Sequence, residues 1–506
     1  MELNLNFDKS APETLQEQAF EQIRNHILSG RLRPGMILPP TRQLAEQLNI
    51  SRNTISLVYE RLAAEGYVES RGRAGTFVSR ALPDESLNTD PNGPSSIEAL
   101  KLDLPSPILC FSVHPPGLNR PDVANPLIDF WVGRSDPETF PLDTWRRLLL
   151  RKLSVAGSNL TEYGDPAGLS ELRLAIASHL GRTRGMLVSA DQVIVTSGSQ
   201  DGLNLICRLL NTQHHPFFIE SPCYQGAAFL FRGLGATLYP IPVDQNGLVV
   251  DKLPEDRGGV VFVTPSHQYP TGATLSLERR LQILKWANDT NSVIIEDDYD
   301  SYFCYDGRPI TALAGLDNGQ RVFYLGTFSK SLGAGLRIGF TVVPKELAET
   351  ARIIKSQMNH GQSWLDQAVL AEFIESGLYD RHLRRARKLY KSRRDCLKSS
   401  LTKHFGSADI TGDEGGLHVA WRLPHGSPDA AVVQQRARLR GVGVYTFGSG
   451  AAYDFDGSSS RDFLVLGYSS VKEKDIEVAV GRLSDLLEDM KREFTPYVVF
   501  SRQQSA

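Results

Sequence analysis

VFYLGTFSKSLGAGLR, residues 322–337, places a lysine in a loop of small residues directly after an apolar run. The run Val322–Leu325 has the length and β-branched or aromatic character of a buried strand. A loop at the end of such a strand exposes the amine of Lys330 to a ligand, beside the hydroxyls of Thr327 and Ser329. The stretch therefore predicts a buried strand that ends at an accessible lysine.

Four other apolar runs alternate with amphipathic stretches after about residue 125. These runs are Val193–Thr196, Phe217–Glu220, Val260–Val263 and Ser292–Ile295. Strands of a parallel sheet read as continuous apolar runs because helices cover both faces of the sheet. The rhythm predicts an α/β fold with a large, mainly parallel sheet.

The length of the chain and its prolines indicate more than one domain. A chain of 506 residues exceeds a single core at about 100–200 residues per domain. Eight prolines between residues 83 and 121 break any helical or strand period. We expect a small domain at 1–80, a proline-rich linker at 81–124, and a large domain at 125–506 that ends in a smaller α/β subdomain.

The composition is that of an ordinary globular protein, with 41% hydrophobic residues, 22% charged residues and a net charge of −3. Five scattered cysteines without a C-x-x-C pair predict neither a disulfide framework nor a zinc site, and we expect no bound metal. No signal-peptide pattern is present, and no apolar stretch reaches the ~20 residues of a membrane span. We therefore expect a cytoplasmic protein that does not contact a membrane.

The first 80 residues have the pattern of a helix-turn-helix followed by a hairpin. A short helix is expected at Thr41–Leu48, and Ser51 is the expected N-cap of a second helix. The second helix has apolar residues at the spacing of a buried stripe, namely Ile55, Val58, Tyr59 and Leu62. Tyr67–Arg71 and Thr76–Val78 flank a glycine turn that carries an arginine, which predicts a basic wing.

Positive charge is concentrated in this segment. Residues 22–80 contain nine arginines and four glutamates with no lysine or aspartate, so 9 − 4 gives +5 in a chain of net charge −3. Arg31 and Arg33 are expected to contact phosphates, which sets position and salt dependence, whereas the start of the second helix is expected to read base edges. The DNA-binding residues we predict are Arg42, Arg52, Asn53, Thr54, Ser56, Arg71 and Arg73. The alternative is a small helical protein-interaction module.

Residues 15–78 resemble the GntR family of winged-helix regulators. The resemblance is carried by LPPTRQLA at 38–45, SRNT at 51–54 and GTFV at 75–78. It implies a DNA-binding module that acts on an operator, arranged as direct repeats or as a palindrome.

The large domain offers the groups that an aldehyde cofactor needs. These groups are a lysine that forms an imine, an acid beside the ring nitrogen, and donors for a phosphate. Lys330 supplies the amine, Arg337 a planar cation for the phosphate, and Asp297 an acid at a strand end. Ser199 lies in a loop that opens a helix, where free backbone amides favour an anion.

Two of these assignments have structural alternatives. The acidic run EDDYD at 296–300 is also explained by the N-terminus of a helix or by a divalent-metal cluster. Tyr224 follows another strand and is suited to stack on the cofactor ring, or else it packs in the core.

The chain from about residue 125 resembles the fold-type I aminotransferases that bind pyridoxal 5'-phosphate (PLP). The motifs are YGDPAG at 163–168, PTG at 270–272, Asp297-x-Tyr299, and Ser329-Lys330 followed by Arg337. The resemblance implies that Lys330 forms the imine, Asp297 faces the ring nitrogen, Tyr299 contacts the ring hydroxyl and Tyr163 enters from the partner of a homodimer. The implied cofactor-binding residues are Lys330, Asp297, Tyr299, Tyr224, Gly198, Ser199, Gln200, Thr327, Ser329, Arg337 and Tyr163.

The chain departs from the aminotransferase pattern at three positions. Tyr269 replaces the asparagine before Pro-Thr-Gly, which leaves the ring-hydroxyl contact to Tyr299 or His267. The late strand at 463–468 lacks the arginine that holds a substrate carboxylate, with Arg461 as a nearby substitute, and Gly226 stands where amino-acid-responsive relatives have an arginine. Transamination of an ordinary α-amino acid is therefore in doubt.

The whole chain resembles the MocR (GabR/PdxR-like) regulators, in which a GntR-like head precedes an aminotransferase-like domain. This resemblance implies a transcription regulator whose DNA binding responds to PLP itself or to an amino compound that reacts at Lys330, with at most vestigial transaminase activity. The alternatives are an active aminotransferase with an accessory DNA-binding domain and a structural dimer that has lost its cofactor.

Overall fold

The structure is a computed structural model that describes Leu3, Leu118 and residues 5–8, 13–80, 128–210, 212–306 and 311–494. The chain separates into two compact units, Met1–Leu104 and Pro105–Ala506. Apart from Leu118, the predicted linker at 81–124 lies outside the described residues. None of the helices in the described ranges combines the length and apolar character needed to cross a bilayer.

The N-terminal unit consists of three helices and a hairpin. Its elements are α1 (Leu15–Leu28), α2 (Thr41–Leu48), α3 (Arg52–Ala64), β1 (Val68–Ser70) and β2 (Thr76–Val78). Asn49 ends α2 in the left-handed region with φ of 54°, and the Oγ of Ser51 accepts a hydrogen bond of 3.0 Å from the N–H of Thr54 at the start of α3. β1 and β2 pair antiparallel. The predicted helix-turn-helix and hairpin are confirmed.

One apolar core holds this unit together. The four residues of the predicted stripe on α3 are all buried, and they share a cluster with Phe20 and Ile23 of α1 and Leu44 of α2. The Tyr59 hydroxyl, which is also buried, donates to the carbonyl of Pro39 at 2.9 Å. This packing fixes α3 against α1 and α2 and leaves the opposite face of α3 toward solvent.

The second unit contains the remaining helices and strands. The helices are α4 (Leu142–Ser154), α5 (Ser170–Arg184), α6 (Ser199–Leu209), α7 (Gln225–Gly233), α8 (Leu277–Asp289), α9 (Leu313–Leu316), α10 (Ala348–Asn359), α11 (Trp364–Glu375), α12 (Leu378–Phe405), α13 (Ala430–Leu439) and α14 (Glu473–Phe494). The strands are β3 (Ile128–Asp129), β4 (Val193–Thr196), β5 (Pro216–Ser221), β6 (Cys223–Tyr224), β7 (Thr237–Asp244), β8 (Gly247–Leu248), β9 (Val260–Val263), β10 (Val293–Asp298), β11 (Val322–Thr327), β12 (Gly339–Val342), β13 (Ile410–Thr411), β14 (His418–Arg422), β15 (Val442–Gly443), β16 (Ala452–Tyr453) and β17 (Phe463–Gly467).

The central sheet has eight strands in the order β4-β12-β11-β10-β9-β5-β7-β8. The neighbours from β11 to β7 are parallel, whereas β12 is antiparallel to both β11 and β4. Ile294 and Ile295 of β10 belong to separate apolar clusters because successive side chains point to opposite faces. Both faces are therefore buried, which explains the continuous apolar runs and confirms the mainly parallel sheet.

The C-terminal part forms the smaller α/β subdomain that the sequence predicts. Strands β13, β14 and β17 make an antiparallel sheet, with His418 opposite Gly467 in the central pair. Helices α12 and α14 pack against each other, and apolar residues of both join the same core as Trp421 of β14. Strands β13 and β14 contact the segment of the large domain that contains Pro270, through Thr411 and His418.

Candidate functional site

A cavity of about 210 Å³ lies beyond the carboxyl ends of β10 and β11 and beside the start of α6. It is lined by Val132, Gly133, Gly198, Ser199, Gln200, Tyr224, Thr264, Tyr269, Asp297, Tyr299, Thr327, Ser329, Lys330, Ala334, Arg337 and Ala451. Every residue that we predicted to bind the cofactor, apart from Tyr163, is in this set. The structure therefore brings together predicted residues that are up to 139 positions apart in the chain, from Gly198 to Arg337.

Lys330 lies in a single π-helical turn directly after β11. Its Nζ donates a hydrogen bond of 3.2 Å to the carbonyl of Gly133. Gly133 has φ of +78°, and a Cβ there would lie 2.4 Å from that Nζ, so only glycine leaves room for the amine. Burial lowers the pKa of Lys330, while the charges of Asp300 and Asp297 oppose that shift. A buried amine of this kind loses its proton more readily and becomes a nucleophile.

Asp297 projects from the end of β10 into the same cavity. Its Oδ1 is buried and has no hydrogen-bond partner among the described residues. Burial and then the neighbouring charge of Asp298 raise the pKa of Asp297 to about 7, and Lys330 partly offsets the shift. A buried carboxylate without a partner is costly, so this position favours a cation or a proton donor in the cavity.

The other acids of the 296–300 run have separate partners. Glu296 accepts hydrogen bonds of 3.0 and 2.9 Å from two backbone N–H groups at the start of α9. Asp298 forms an ion pair with Arg184 at 2.7 Å, and Asp300 contacts the ring of His267 at 3.0 Å. Each of these three acids therefore has a protein partner, whereas Asp297 faces the cavity.

Tyr299 and His267 differ from the expected arrangement. The Tyr299 hydroxyl donates to the backbone carbonyl of His267 at 2.9 Å. Its oxygen is therefore left to accept a hydrogen bond from a group in the cavity. The two ring nitrogens of His267 contact Asp300 and the carbonyl of Gly412 at 3.0 and 3.1 Å. His267 lines a separate, larger cleft of about 1030 Å³ and not the Lys330 cavity. The contact of Tyr299 with the hydroxyl of the PLP ring therefore stays a prediction.

The start of α6 and Arg337 lie close together in the lining of the cavity. Gly198 is the N-cap of α6 with φ of +113°, and a Cβ at this position would lie 3.5 Å from Nη1 of Arg337. The guanidinium thus lies beside the free N–H groups of the helix start, which favour a phosphate. Gln200 is fixed by a hydrogen bond of 3.0 Å to the carbonyl of Gly226. The N–H of Ser329 donates to the hydroxyl of Thr327 at 3.1 Å.

Two residues that we considered lie away from the cavity. Tyr163 is 85% exposed and its ring packs on that of His360, with 5.1 Å between centroids. Arg461 is exposed and does not line the cavity. Sequence reasoning missed Gly133, because it is 197 residues from Lys330 and a single glycine gives no local signal.

Four of the predicted DNA-binding residues lie at the start of α3. Arg52 and Asn53 are exposed in the first turn of α3, and Thr54 and Ser56 are half-buried beside them. The exposed pair is free to read base edges if α3 enters a major groove.

Two of the predicted DNA-binding arginines, Arg42 and Arg71, form local contacts. Arg42 is exposed on α2 and forms an ion pair of 3.1 Å with Glu46. The guanidinium of Arg71 lies 4.9 Å from the ring centre of Phe77 on the wing and 3.3 Å from Glu69. Arg73 is in the turn of the hairpin, and its side chain lies outside the described residues. The wing therefore presents an arginine at the base of its turn.

Comparison with protein families identifies both parts of the chain. Residues 15–78 match the model of bacterial regulatory proteins of the gntR family, and residues 128–483 match aminotransferase class I and II, a PLP-dependent family. The chain is also similar to a solved multiple substrate aminotransferase from Thermococcus profundus, with a TM-score of 0.67 and 29% identity over 73% of this chain and 93% of that one. The large unit therefore has the aminotransferase fold.

Curated relatives share both parts over nearly their whole length. The chain is 34% identical to the probable rhizopine catabolism regulatory protein MocR of Rhizobium meliloti, over 95% of each chain. It is 30% identical to the HTH-type pyridoxine biosynthesis transcriptional regulator PdxR of Corynebacterium glutamicum, over 96% of this chain and 98% of the relative. The protein therefore belongs to the MocR-type transcriptional regulators, in which a GntR-family DNA-binding module precedes an aminotransferase class I and II domain.

Proposed function

We propose that this protein is a PLP-binding transcription regulator whose binding to an operator changes when PLP or an amino compound occupies the Lys330 cavity. The observation that carries the proposal is the convergence of Lys330, Asp297 and Arg337 on one cavity, in a chain whose separate N-terminal unit exposes Arg52 and Asn53. When bound, PLP supplies an aldehyde that reacts reversibly with primary amines.

The residues of the cavity fit the cofactor. The carboxylate of Asp297, which has a buried oxygen without a partner, would face the protonated ring nitrogen. The start of α6, Ser199 and Arg337 would hold the phosphate, and Lys330 would attach to the aldehyde carbon. Tyr224 lines the cavity and would stack on the ring. Each group of the cofactor thus has a matching group in this chain.

The lining of the cavity also supports a ligand-sensing role and argues against catalytic turnover. Among the described residues that line the cavity, Lys330 and Arg337 are the cationic side chains, and both are assigned to the cofactor. A Cβ at Gly226 would lie 2.4 Å from the ring of Tyr224, so an arginine at Gly226 would require that ring to move. A substrate carboxylate would therefore lack a bidentate cationic partner, which argues against efficient transamination of α-amino acids.

Exposed apolar residues between positions 142 and 163 support a homodimer. Leu142, Val155 and Leu160 are 66%, 69% and 57% exposed, near the exposed Tyr163 in sequence. Contiguous exposed apolar side chains mark a protein interface. We infer that two copies associate through this region in the cytoplasm, with Tyr163 of the partner subunit completing the cofactor site.

The family matches end at 78 and resume at 128, which supports a linker at 81–124.

Coupling between cofactor and DNA is tested by measuring both on the full-length protein. Fluorescence anisotropy on DNA from the promoter of the protein's own gene should show sequence-selective, salt-dependent binding that changes with PLP or with a candidate amine. Coupling of this kind is typically about 1–3 kcal/mol, or 5–150-fold in affinity. Absence of selective DNA binding in both the free and PLP-loaded states would refute the regulator, whereas sustained multiple turnover with an amino donor would support an aminotransferase.

A further inference from the structure

Helix α12 is rich in basic residues, and five of them are engaged by neighbouring groups. Arg393 pairs with Asp136, and Lys391 and Arg394 both pair with Asp306. Further along the helix Lys398 pairs with Asp413, and Arg387 donates to the carbonyl of Tyr302. These interactions tie α12 to its neighbours and explain about half of its positive charge.

Four further cations of α12 are not explained by these interactions. Arg381, Arg384, Arg385 and Lys388 are exposed, and their spacing of i, i+3, i+4 and i+7 places them on one face. We call these four residues the cationic face of α12. Within the described part of the chain, none of the four forms an ion pair with an acid.

The two acids of α12 itself are already engaged. Asp380 lies 3.7 Å from the ring of His179, and Asp395 pairs with Arg394. Like charges at i and i+4 on a helix destabilise it by about 0.2–0.5 kcal/mol per pair, and Arg381 with Arg385 and Arg384 with Lys388 make two such pairs. Surfaces that serve only solubility intersperse both signs. The uniform sign of this face therefore indicates an anionic ligand.

We propose that the cationic face of α12 binds the phosphate backbone of DNA. This inference rests on the proposed function, since the protein must already hold DNA through its N-terminal unit. The four residues span seven positions, or about 10 Å at 1.5 Å per residue. Each DNA strand carries one phosphate per about 3.4 Å of the DNA helix axis, so a protein helix that lies parallel to that axis matches about three successive phosphates.

The chemistry of the face favours DNA over other partners. Four long cationic side chains without an exposed aromatic or aliphatic residue among them lack the apolar anchor of a protein interface. They also lack the apolar residues that insert into a lipid surface. Phosphate binding carries no sequence information, so we expect this face to add affinity and salt dependence without changing the preferred operator.

The test compares two variants of equal net charge in the full-length protein. The face variant carries Arg381→Gln, Arg384→Gln, Arg385→Gln and Lys388→Gln. The control variant removes four exposed cations from scattered positions, with Arg208→Gln, Lys252→Gln, Lys345→Gln and Lys474→Gln. Binding to a fluorescein-labelled 60-base-pair duplex of arbitrary sequence is measured by anisotropy between 50 and 200 mM NaCl.

We expect the face variant to reduce the slope of log affinity against log salt by about 0.9 for each phosphate that it no longer neutralises, or about 2–4 in total. The control variant should keep the wild-type slope within about 0.5. Equal slopes for both variants and the wild type would overturn the proposal and leave the proposed function intact. Failure of the wild type itself to bind DNA would refute the proposed function. If the face variant loses binding to phosphatidylserine vesicles but keeps the wild-type slope on DNA, the partner is a membrane and the DNA assignment is wrong.

Discussion

Gly133→Ala tests whether the amine of Lys330 is held where the structure places it. The Cβ of alanine would lie 2.4 Å from Nζ and 3.0 Å from Cε of Lys330. Ordinary van der Waals separations begin near 3.4 Å, so the amine must move by about 1 Å. The shift also breaks the hydrogen bond of 3.2 Å between Nζ and the carbonyl of Gly133. The substitution therefore displaces the nucleophile without removing it.

The expected effect on cofactor binding exceeds the effect on folding. Alanine at φ of +78° costs about 1–2 kcal/mol of unfolding free energy. The clash itself adds little to the folding cost because Nζ is the end of a flexible side chain. A displacement of 1 Å at a reacting group, in contrast, lowers the efficiency of its reaction by up to about 100-fold. We expect the apparent affinity for PLP to fall between about 10-fold and 100-fold.

Gly377→Ala is the matched control. Gly377 has φ of +68° at the start of α12, and a Cβ there would meet no atom within 4 Å. It should lose a similar 1–2 kcal/mol in urea unfolding while its PLP titration, followed by absorbance at the visible edge, stays within about twofold of wild type. If Gly133→Ala binds PLP as tightly as Gly377→Ala, the position of the Lys330 amine is wrong.

Four further substitutions test other parts of the site and the DNA-binding unit. Asp297→Asn should weaken PLP binding at least about 10-fold by titration, because a charge contact at ~3–4 Å is worth on the order of 4–5 kcal/mol at a dielectric near 20. Burial raises the pKa of Asp297 to about 7 from ~3.9 in the unfolded chain, so the folded state holds this proton more tightly. The stability of the cofactor-free protein therefore falls as the pH rises from about 4 to 7, and Asp297→Asn should flatten that fall in urea unfolding. Arg52→Ala should lower the free energy of binding to operator DNA by about 1–3 kcal/mol and relax the preference at one base pair. Arg33→Ala should weaken binding to all sequences alike and lower the salt slope by about 0.9. Equal losses of Arg52→Ala on operator and arbitrary DNA would contradict the role of Arg52. Ser51→Ala should lower the unfolding free energy by about 1 kcal/mol through loss of the α3 cap, and an unchanged thermal midpoint of the N-terminal transition would count against that cap.

Local patterns predicted most of the fold. The buried stripe of α3 and the cap at Ser51 follow from residues a few positions apart, and β4 and β9 have the predicted bounds. Strand β10 runs three residues further than the apolar run indicated, through Asp298, because parallel pairing with β11 holds polar residues in the sheet. Hydrophobicity alone does not report that pairing.

The site was predictable where a residue type matched a chemical need. Lys330, Asp297 and Arg337 belong to motifs with fixed order, and all three line the cavity. The hydrogen bond from Lys330 to Gly133 and the donation from Tyr299 to His267 were not predictable, because both depend on side-chain directions between distant segments. Only the folded arrangement shows that the Tyr299 proton is already engaged.

The most direct measurement of the central claim is the site of covalent attachment of PLP. The full-length protein is loaded with PLP, reduced with borohydride, digested, and mapped by peptide mass spectrometry. The account predicts a phosphopyridoxyl group on Lys330 and its loss in Lys330→Ala together with the visible absorbance. A colourless protein without an adduct, or an adduct on another lysine, would contradict the assignment of the cavity and leave only the DNA-binding unit supported.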